Sequence, residues 1–280
     1  MDKLNDSLNI GYERAINFRD KYGLGNYCGK NLLDILSRIE EYEKISLKLI
    51  RTHFSNLKLA GFIGYKNNTY IIVTNSNQTL GKERFTIAHE IYHLLENRVY
   101  LKKKLIIEQP EYNDENIKDI NEKRANAFAA ELLMPKEDID EYLKKISIDK
   151  DGGISELTII EMQNLYGVDH TAVTKRLIEL NLIDDDKQKD LEKILKDEGK
   201  LESLTKNLGY DNKLNTPSKV KSLSAKDLQL IKSNYDNGYI DYNDLVVIFG
   251  YLGCQPEDFG YEQYEENDKN ANDFINNLLS

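Results

Sequence analysis

The chain has 280 residues, 40% hydrophobic and 31% charged, a balance that supports about two folded domains and excludes a disordered chain. Its net charge of −10 argues against broad, non-specific DNA binding, which needs a basic face. Because the first residues lack the apolar core of a secretory signal and no apolar run approaches the roughly 20 residues of a membrane-spanning helix, we expect a cytoplasmic protein that contacts neither membrane nor nucleic acid directly.

Helical and strand patterns alternate in the first third of the chain. Residues 9–21 and 31–56 have apolar residues at a spacing near 3.6, which predicts two helices. The segment 59–76 then contains two short apolar runs, GFIGY and TYIIVT, separated by the turn sequence KNN. Because asparagine tolerates the positive φ of a tight turn, this pattern predicts a β-hairpin. The chain next enters a helix that carries the stretch RFTIAHEIYHLLENR at 84–98.

The remainder of the chain is predicted to be mainly helical. Pro135 is placed to end a helix at 120–134 and to begin another. We expect a charged connection at 102–119, a break at the glycines 152–153, two helices at 155–165 and 170–183 joined by a glycine turn, a solvated amphipathic helix and linker at 184–222, and an acidic, mainly helical region from 223 onward. The two cysteines, Cys28 and Cys254, are expected to be buried lone thiols, since they lie far apart in a reducing compartment.

Two of the four histidines, His89 and His93, lie four residues apart on the helix predicted at 84–98. At this spacing both imidazoles project from one face of the helix and can bind a single Zn²⁺. Glu90 lies about 100° further around the helix, where its carboxylate can take the proton from a water that attacks a carbonyl. The alternative is a surface helix with two solvent-facing histidines, because His-Glu-x-x-His is a short pattern. The apolar residues around the motif favour metal binding.

A catalytic zinc site needs a third protein ligand, which a later helix should supply. Both Glu122 and Glu131 lie on the helix predicted at 120–134. We favour Glu122, because Asn126 follows one turn later on the same face and its amide can hydrogen-bond a metal-bound histidine. Glu131 lies two and a half turns further on and is interpreted as a surface carboxylate.

The segments RFTIAHEIYHLL and EKRANAFAAELLMP together resemble the ImmA/IrrE family of zinc metallopeptidases. The similarity extends from about residue 30 to 182 and includes the predicted hairpin and YGVDHTAVTKRLIELNLI at 166–183. The resemblance implies zinc on His89, His93 and Glu122, Glu90 as general base, and Asn126 as a polar support for the metal site.

The fold implied is α+β: a mainly helical, zincin-like metallopeptidase domain with a small β-sheet or hairpin, followed by a helical C-terminal region. We expect a metallopeptidase domain at 1–150, a helical segment packing on it at 151–185, and a charged linker with an acidic helical region at 186–280.

The function implied by the resemblance is zinc-dependent cleavage of a partner protein, a helix-turn-helix repressor or an antitoxin, in a phage, mobile-element or toxin–antitoxin setting. Two alternatives stay open. One is a zinc-stabilised module that sequesters its partner without cutting it, and the other is a toxin that is restrained by an antitoxin.

Three further patterns are weaker. The stretch 233–244 has the glycine of an EF-hand loop but lacks its first acidic ligands and the final glutamate, so we expect a helix connection there. The segment 155–183 has the outline of a DNA-binding helix-turn-helix, but its second helix carries few cations. His170 would stabilise an oxyanion only if it folded over the zinc, and we expect it to cap a helix or face solvent.

Overall fold

The computed structural model describes residues 2–102, 119–146, 153–197, 199–223 and 225–262, with side chains from residue 8 onward. The connection predicted at 102–119 therefore lies almost entirely outside the described residues, as does Gly152. The chain divides into two compact units, Met1–Ser222 and Leu223–Ser280.

The first unit begins with two helices, α1 (Asp2–Tyr22) and α2 (Leu32–Glu43), separated by a short 3-10 turn at Cys28–Asn31. The helix predicted at 9–21 is confirmed, but the one predicted at 31–56 is wrong beyond residue 43. Lys44 adopts a left-handed conformation with a φ of 52° and ends α2, and Ser46–Thr52 form strand β1. Leu47 and Ile50 are spaced as in a helix, but a run this short fits either period, and pairing with another strand decides the outcome.

The predicted hairpin is confirmed as strands β2 (Gly61–Lys66) and β3 (Thr69–Asn75). Asn67 and Asn68 both have positive φ, 49° and 59°, as a two-residue hairpin turn requires. The sheet has the order β1-β3-β2, in which β2 is antiparallel to β3 and β1 is parallel to it. One face of the β2–β3 pair packs against the next helix, which positions that helix beside the sheet.

A series of helices completes the first unit. Thr79 caps the first of them, because its side chain accepts a hydrogen bond from the Lys82 backbone amide. Pro135 lies one residue before its helix rather than inside it. The helices are α3 (Leu80–Glu96), α4 (Arg98–Leu101), α5 (Ile120–Leu133), α6 (Lys136–Lys145), α7 (Glu156–Tyr166), α8 (His170–Glu179), α9 (Asp185–Leu191) and α10 (Lys200–Asn207).

The core of this unit lies where α3 and α5 pack on each other and α1 packs on α5. Phe18, Tyr92 and Phe128 meet there, with ring centroids 5.6 Å apart in both the Phe18–Phe128 and the Tyr92–Phe128 pairs. Gly11 permits the close approach of α1, since a Cβ at this position would lie 2.5 Å from the Arg124 carbonyl oxygen. The contact between α3 and α5 brings the two sequence motifs together.

The end of the first unit returns to the start of α3. Leu80 donates its backbone N–H to the carbonyl of Thr216 at 3.1 Å, and Lys219 donates to Ser76 at 2.9 Å. The backbone N–H of Ser222 donates to the carbonyl of Arg51 at 3.2 Å. Residues 216–222 therefore run from the first residue of α3 to the last residues of β1.

The second unit is helical where it is described, as predicted. It contains α11 (Ala225–Asp236), α12 (Tyr242–Leu252) and a 3-10 turn at Pro256–Phe259. Leu245 and Phe249 are fully buried, and Phe249 stacks on Phe259 at 4.4 Å. None of the described helices combines the length and the apolar character that crossing a membrane requires.

Candidate metal centre

Helix α3 presents His89 and His93 on one face, one turn apart. Both side chains are buried, with His89 0% and His93 1% exposed. Their Nε2 atoms lie 3.0 Å from each other, so both rings point their outer nitrogens at one position in space. Both imidazoles are thus buried and face each other, whereas the alternative of a surface helix requires them to face solvent.

Glu122 completes the cluster from the first turn of α5. Its Oε2 atom lies 3.1 Å from His89 Nε2 and its Oε1 atom lies 2.9 Å from His93 Nε2. Helix α5 can approach α3 this closely because small residues line its buried side: Ala125 and Ala129 are both 0% exposed. The Asp119 side chain caps the helix by accepting a hydrogen bond from the Asn121 backbone amide, which fixes where α5 begins.

The three side chains have the chemistry and the spacing of a metal site. Ligands bound tetrahedrally at the usual zinc distances lie about 3.3 Å from each other, close to the 2.9 to 3.1 Å found here. Two histidines and one glutamate form a ligand set that catalytic zinc sites use, with a fourth position left for water or substrate. Across the described ranges, these three residues are the one group of His, Cys, Asp or Glu close enough to share a metal ion.

Each histidine also has an asparagine side chain beside its Nδ1 atom, on the side of the ring away from the cluster. The Asn126 Oδ1 atom lies 2.8 Å from Nδ1 of His89, the position expected for Asn126 from its spacing to Glu122. Nδ2 of Asn97 lies 3.1 Å from Nδ1 of His93. Asn97 was not predicted as part of the site, although it lies within the stretch 84–98, four residues after His93 and so on the same helical face.

Residues 42–177 match the family model Peptidase_M78, described as the IrrE N-terminal-like domain. This segment belongs to the ImmA/IrrE family of metallopeptidases. The resemblance found in the sequence is thereby confirmed, over a segment slightly shorter than the span from 30 to 182 that was expected. The His-Glu-x-x-His helix, the hairpin and helices α5 to α7 all lie inside the ImmA/IrrE segment, and α8 extends two residues beyond its end.

A solved structure of a Mycobacterium tuberculosis transcriptional regulator is similar with a TM-score of 0.36 and 17% sequence identity, over 62% of this chain and 51% of that one. The chain thus spans about half the length of that regulator. A search of curated proteins found no match.

The electrostatic environment of the ImmA/IrrE site is set by burial. Glu90 is 3% exposed, and burial raises the pKa of its carboxyl against the opposing effect of the two neighbouring histidines. Burial alone would lower the pKa of His89, but the hydrogen bond and negative charge of Glu122 outweigh it and hold this pKa above its usual value. The site therefore combines two different carboxyl groups. The Glu90 carboxyl holds a proton more readily than usual, and the Glu122 carboxylate favours the protonated form of His89.

Glu131 lies outside the metal cluster, as expected, but its interpretation as a surface carboxylate is wrong. It is 5% exposed and forms ion pairs with Arg176 of α8 and, at 3.4 Å, with Arg19 of α1. Its polar partners lie 112 and 45 positions away in sequence, so helical spacing within α5 gave no indication of them. Glu131 therefore joins three helices of the ImmA/IrrE fold rather than binding metal.

His170 is also placed differently from expectation. It is 1% exposed rather than solvent-facing, and neither ring nitrogen has a hydrogen-bond partner among the described residues. Its neighbour Asp169 accepts a hydrogen bond from Thr79 at 2.8 Å. Thr79 comes directly before α3 and ten residues before His89, and ten helical residues rise roughly 15 Å. His170 therefore follows a residue that is bound at the start of α3, whereas the cluster lies further along this helix.

Proposed function

We propose that this chain is a zinc-dependent endopeptidase whose catalytic centre is the cluster on α3 and α5. The observation that carries the proposal is the buried group of His89, His93 and Glu122, with Glu90 on the same helix as the two histidines. Membership of residues 42–177 in a metallopeptidase family supports the reaction class.

The proposed roles follow from the chemistry of each side chain. His89, His93 and Glu122 would hold the zinc, which when bound supplies Lewis-acid polarisation of the peptide carbonyl. Glu90 would take the proton from the attacking water and return it to the leaving amine. Its raised pKa suits both halves of that task, because a general base acts best when its pKa lies near the working pH. Asn126 would hold the His89 ring with its outer nitrogen toward the metal.

We propose that the substrate is a helix-turn-helix repressor or an antitoxin, cut at one or a few sites in the cytoplasm. The family resemblance supports this substrate class. The net charge of −10 supports it too, since a DNA-binding protein presents a basic surface and opposite potentials speed encounter. Association with such a partner should then weaken as salt is added.

One observation favours a different function, that of a zinc-stabilised module or toxin that binds its partner without cleaving it. Glu90 is 3% exposed and His89 is 0% exposed, so a peptide bond does not reach them in the arrangement described. A buried metal that ties α3 to α5 would stabilise the fold without any turnover. Catalysis requires that the site opens to admit the substrate.

The decisive experiment measures metal content and cleavage on matched variants. Zinc per chain is measured by mass spectrometry for the wild type, Glu122→Gln and Glu90→Gln. We expect about one zinc in the wild type, loss of most of it in Glu122→Gln, and retention in Glu90→Gln. A wild type that takes up no zinc when zinc is offered would overturn the proposal.

The zinc-loaded proteins are then incubated with a candidate helix-turn-helix repressor or antitoxin, and new termini are identified by mass spectrometry. Cutting by the wild type and not by zinc-loaded Glu90→Gln supports the peptidase. Tight binding by both proteins without new termini supports the sequestering module instead.

A further inference from the structure

The end of helix α3 places a second asparagine against the metal cluster. Nδ2 of Asn97 lies 3.1 Å from Nδ1 of His93. We propose that Asn97 is a positioning residue that sets which nitrogen of His93 carries the proton and thereby tunes metal affinity. This inference rests on the proposed metal site and concerns a residue that no sequence motif indicated.

The side chain of Asn97 has no competing structural task within the described residues. Asn97 lies between the last residue of α3 and the first residue of α4, but its side chain caps neither helix. The backbone of Asn97 makes the bonds at the two helix ends. Its N–H donates to the His93 carbonyl at 2.9 Å, and its carbonyl accepts from the backbone N–H groups of Tyr100 and Leu101, each at 2.9 Å. Replacing the side chain therefore leaves these main-chain bonds in place.

The two asparagines hold their histidines in different ways. Asn126 turns its oxygen to Nδ1 of His89, so Nδ1 carries a proton, as a histidine that ligates through Nε2 requires. Asn97 turns its nitrogen to Nδ1 of His93. Nδ1 is then the acceptor and the proton of a neutral His93 is on Nε2, which lies 2.9 Å from Glu122 Oε1. In that arrangement the nitrogen that faces the cluster carries a proton and cannot bind a metal.

Binding of a metal by Nε2 of His93 requires the proton on Nδ1 instead. The ring keeps one proton in both arrangements, and Asn97 must then offer its oxygen. A half-turn of the amide about Cβ–Cγ achieves this, and such terminal torsions are broad and easily rotated. Asparagine is suited to this because its amide has both donors and an acceptor, whereas aspartate offers only acceptors and leucine offers neither.

These differences give three distinguishable variants. Asn97→Asp offers oxygen alone, so it favours the tautomer that binds metal and should bind zinc at least as tightly as the wild type at neutral pH. Asn97→Leu supports neither arrangement and should bind zinc about 10- to 100-fold more weakly, as is usual when the support of a metal-bound histidine is lost. Asn121→Leu is the matched control, because its exposed side chain lies beside Glu122 without contacting the histidines.

The experiment measures zinc dissociation constants of the full chain by competition with a chromophoric chelator. Circular dichroism of each zinc-free variant checks that Asn97→Leu is folded. Weakening in Asn97→Leu with retention in Asn97→Asp and Asn121→Leu supports the inference. Equal affinities for Asn97→Leu and the wild type overturn it while leaving the metal site intact, and equal weakening in Asn97→Leu and Asn97→Asp also overturns it. If the wild type itself binds no zinc, the proposed function fails first.

A second measurement needs no variant. Long-range ¹H–¹⁵N spectra assign the protonated nitrogen of each histidine. A neutral His93 should be protonated at Nε2 in the zinc-free wild type and at Nδ1 in the zinc-loaded wild type. Protonation at Nδ1 in the zinc-free protein would contradict the proposed role of Asn97, whatever the affinities of the variants.

Discussion

Arg176 and Glu131 form an ion pair in which both side chains are almost fully buried, 1% and 7% exposed respectively. The same guanidinium donates to the Met134 carbonyl at 3.2 Å and to Glu179 at 2.8 Å, so α8 is tied to the end of α5 through one arginine. The helix that carries Glu122 is thereby held at its far end by a charge pair that the solvent does not reach.

Removal of the Glu131 charge should therefore destabilise the fold strongly. We expect Glu131→Gln to lower the free energy of unfolding by about 3 kcal/mol, because the buried Arg176 guanidinium loses one of its two carboxylate partners, Glu179 being the other. Urea denaturation of the two proteins measures this difference. The control is Glu202→Gln, whose pair with Lys206 is exposed and should contribute little. Similar small effects of both substitutions would show that the buried pair does not carry this stability.

Gly81 should tolerate no side chain, because α3 begins against the loop before α8. A Cβ at this position would lie 2.1 Å from the Asp169 backbone nitrogen. We expect Gly81→Ala to push α3 away from that loop, to destabilise the unit by about 1–3 kcal/mol, and to weaken zinc binding by displacing His89 and His93. Hydrogen exchange should be faster throughout α3.

Gly250→Ala is the contrasting control for this experiment. Gly250 lies within α12 with open space around it, so alanine should slow exchange in that helix by improving its helical propensity. Unchanged exchange in α3 of Gly81→Ala would mean that the loop before α8 moves instead of the helix.

Local patterns in the sequence predicted those parts of the site that lie on a single element. The spacing of His89 and His93 requires only a helix, and the Asn67-Asn68 turn requires only a hairpin. Glu122 could be selected because Asn126 marks the same face of its helix. The structure brings these elements together as their apolar faces suggested, with small residues of α5 against α3.

Features that depend on partners distant in the chain could not be predicted in this way. The burial of Glu131 depends on Arg176, which is 45 positions away. The spacing of apolar residues in strand β1 also fits a helix, and its state depends on pairing with β3. Asn97 was overlooked for another reason: its amide acts only through His93, and a lone asparagine at a helix end is usually a cap.

The two cysteines should differ sharply in reactivity. Cys28 is buried and donates to the Leu132 carbonyl at 3.2 Å, and burial raises its pKa to about 11, whereas Cys254 is half-buried. Because the thiolate is the reactive form, Cys28 should react with a disulfide reagent at pH 8 only after unfolding. Spectrophotometric titration of the native wild type should therefore detect about one fast thiol, and Cys254→Ser should detect none. A fast thiol that persists in Cys254→Ser would show that Cys28 is accessible.

His170 should make the stability of the first unit depend on pH. Burial lowers its pKa to about 4 in the folded chain, below the ordinary value of 6.5. Between these values the unfolded chain binds a proton that the folded chain does not, so the free energy of unfolding from this group falls as the pH drops from 6.5 to 4. The full effect over that window is roughly 3 kcal/mol.

Replacement of His170 by leucine removes this titration and leaves its backbone bond to Asn215 in place. We expect the wild type to lose more stability than His170→Leu between pH 7 and pH 5 in urea denaturation. Taking the difference between the two proteins cancels the contribution of other groups that titrate in the same range, including the buried carboxyls of Glu90 and Asp169. Parallel pH profiles for the two proteins would mean that His170 gains a proton as easily in the folded chain as in the unfolded one, and that its burial has no consequence for stability.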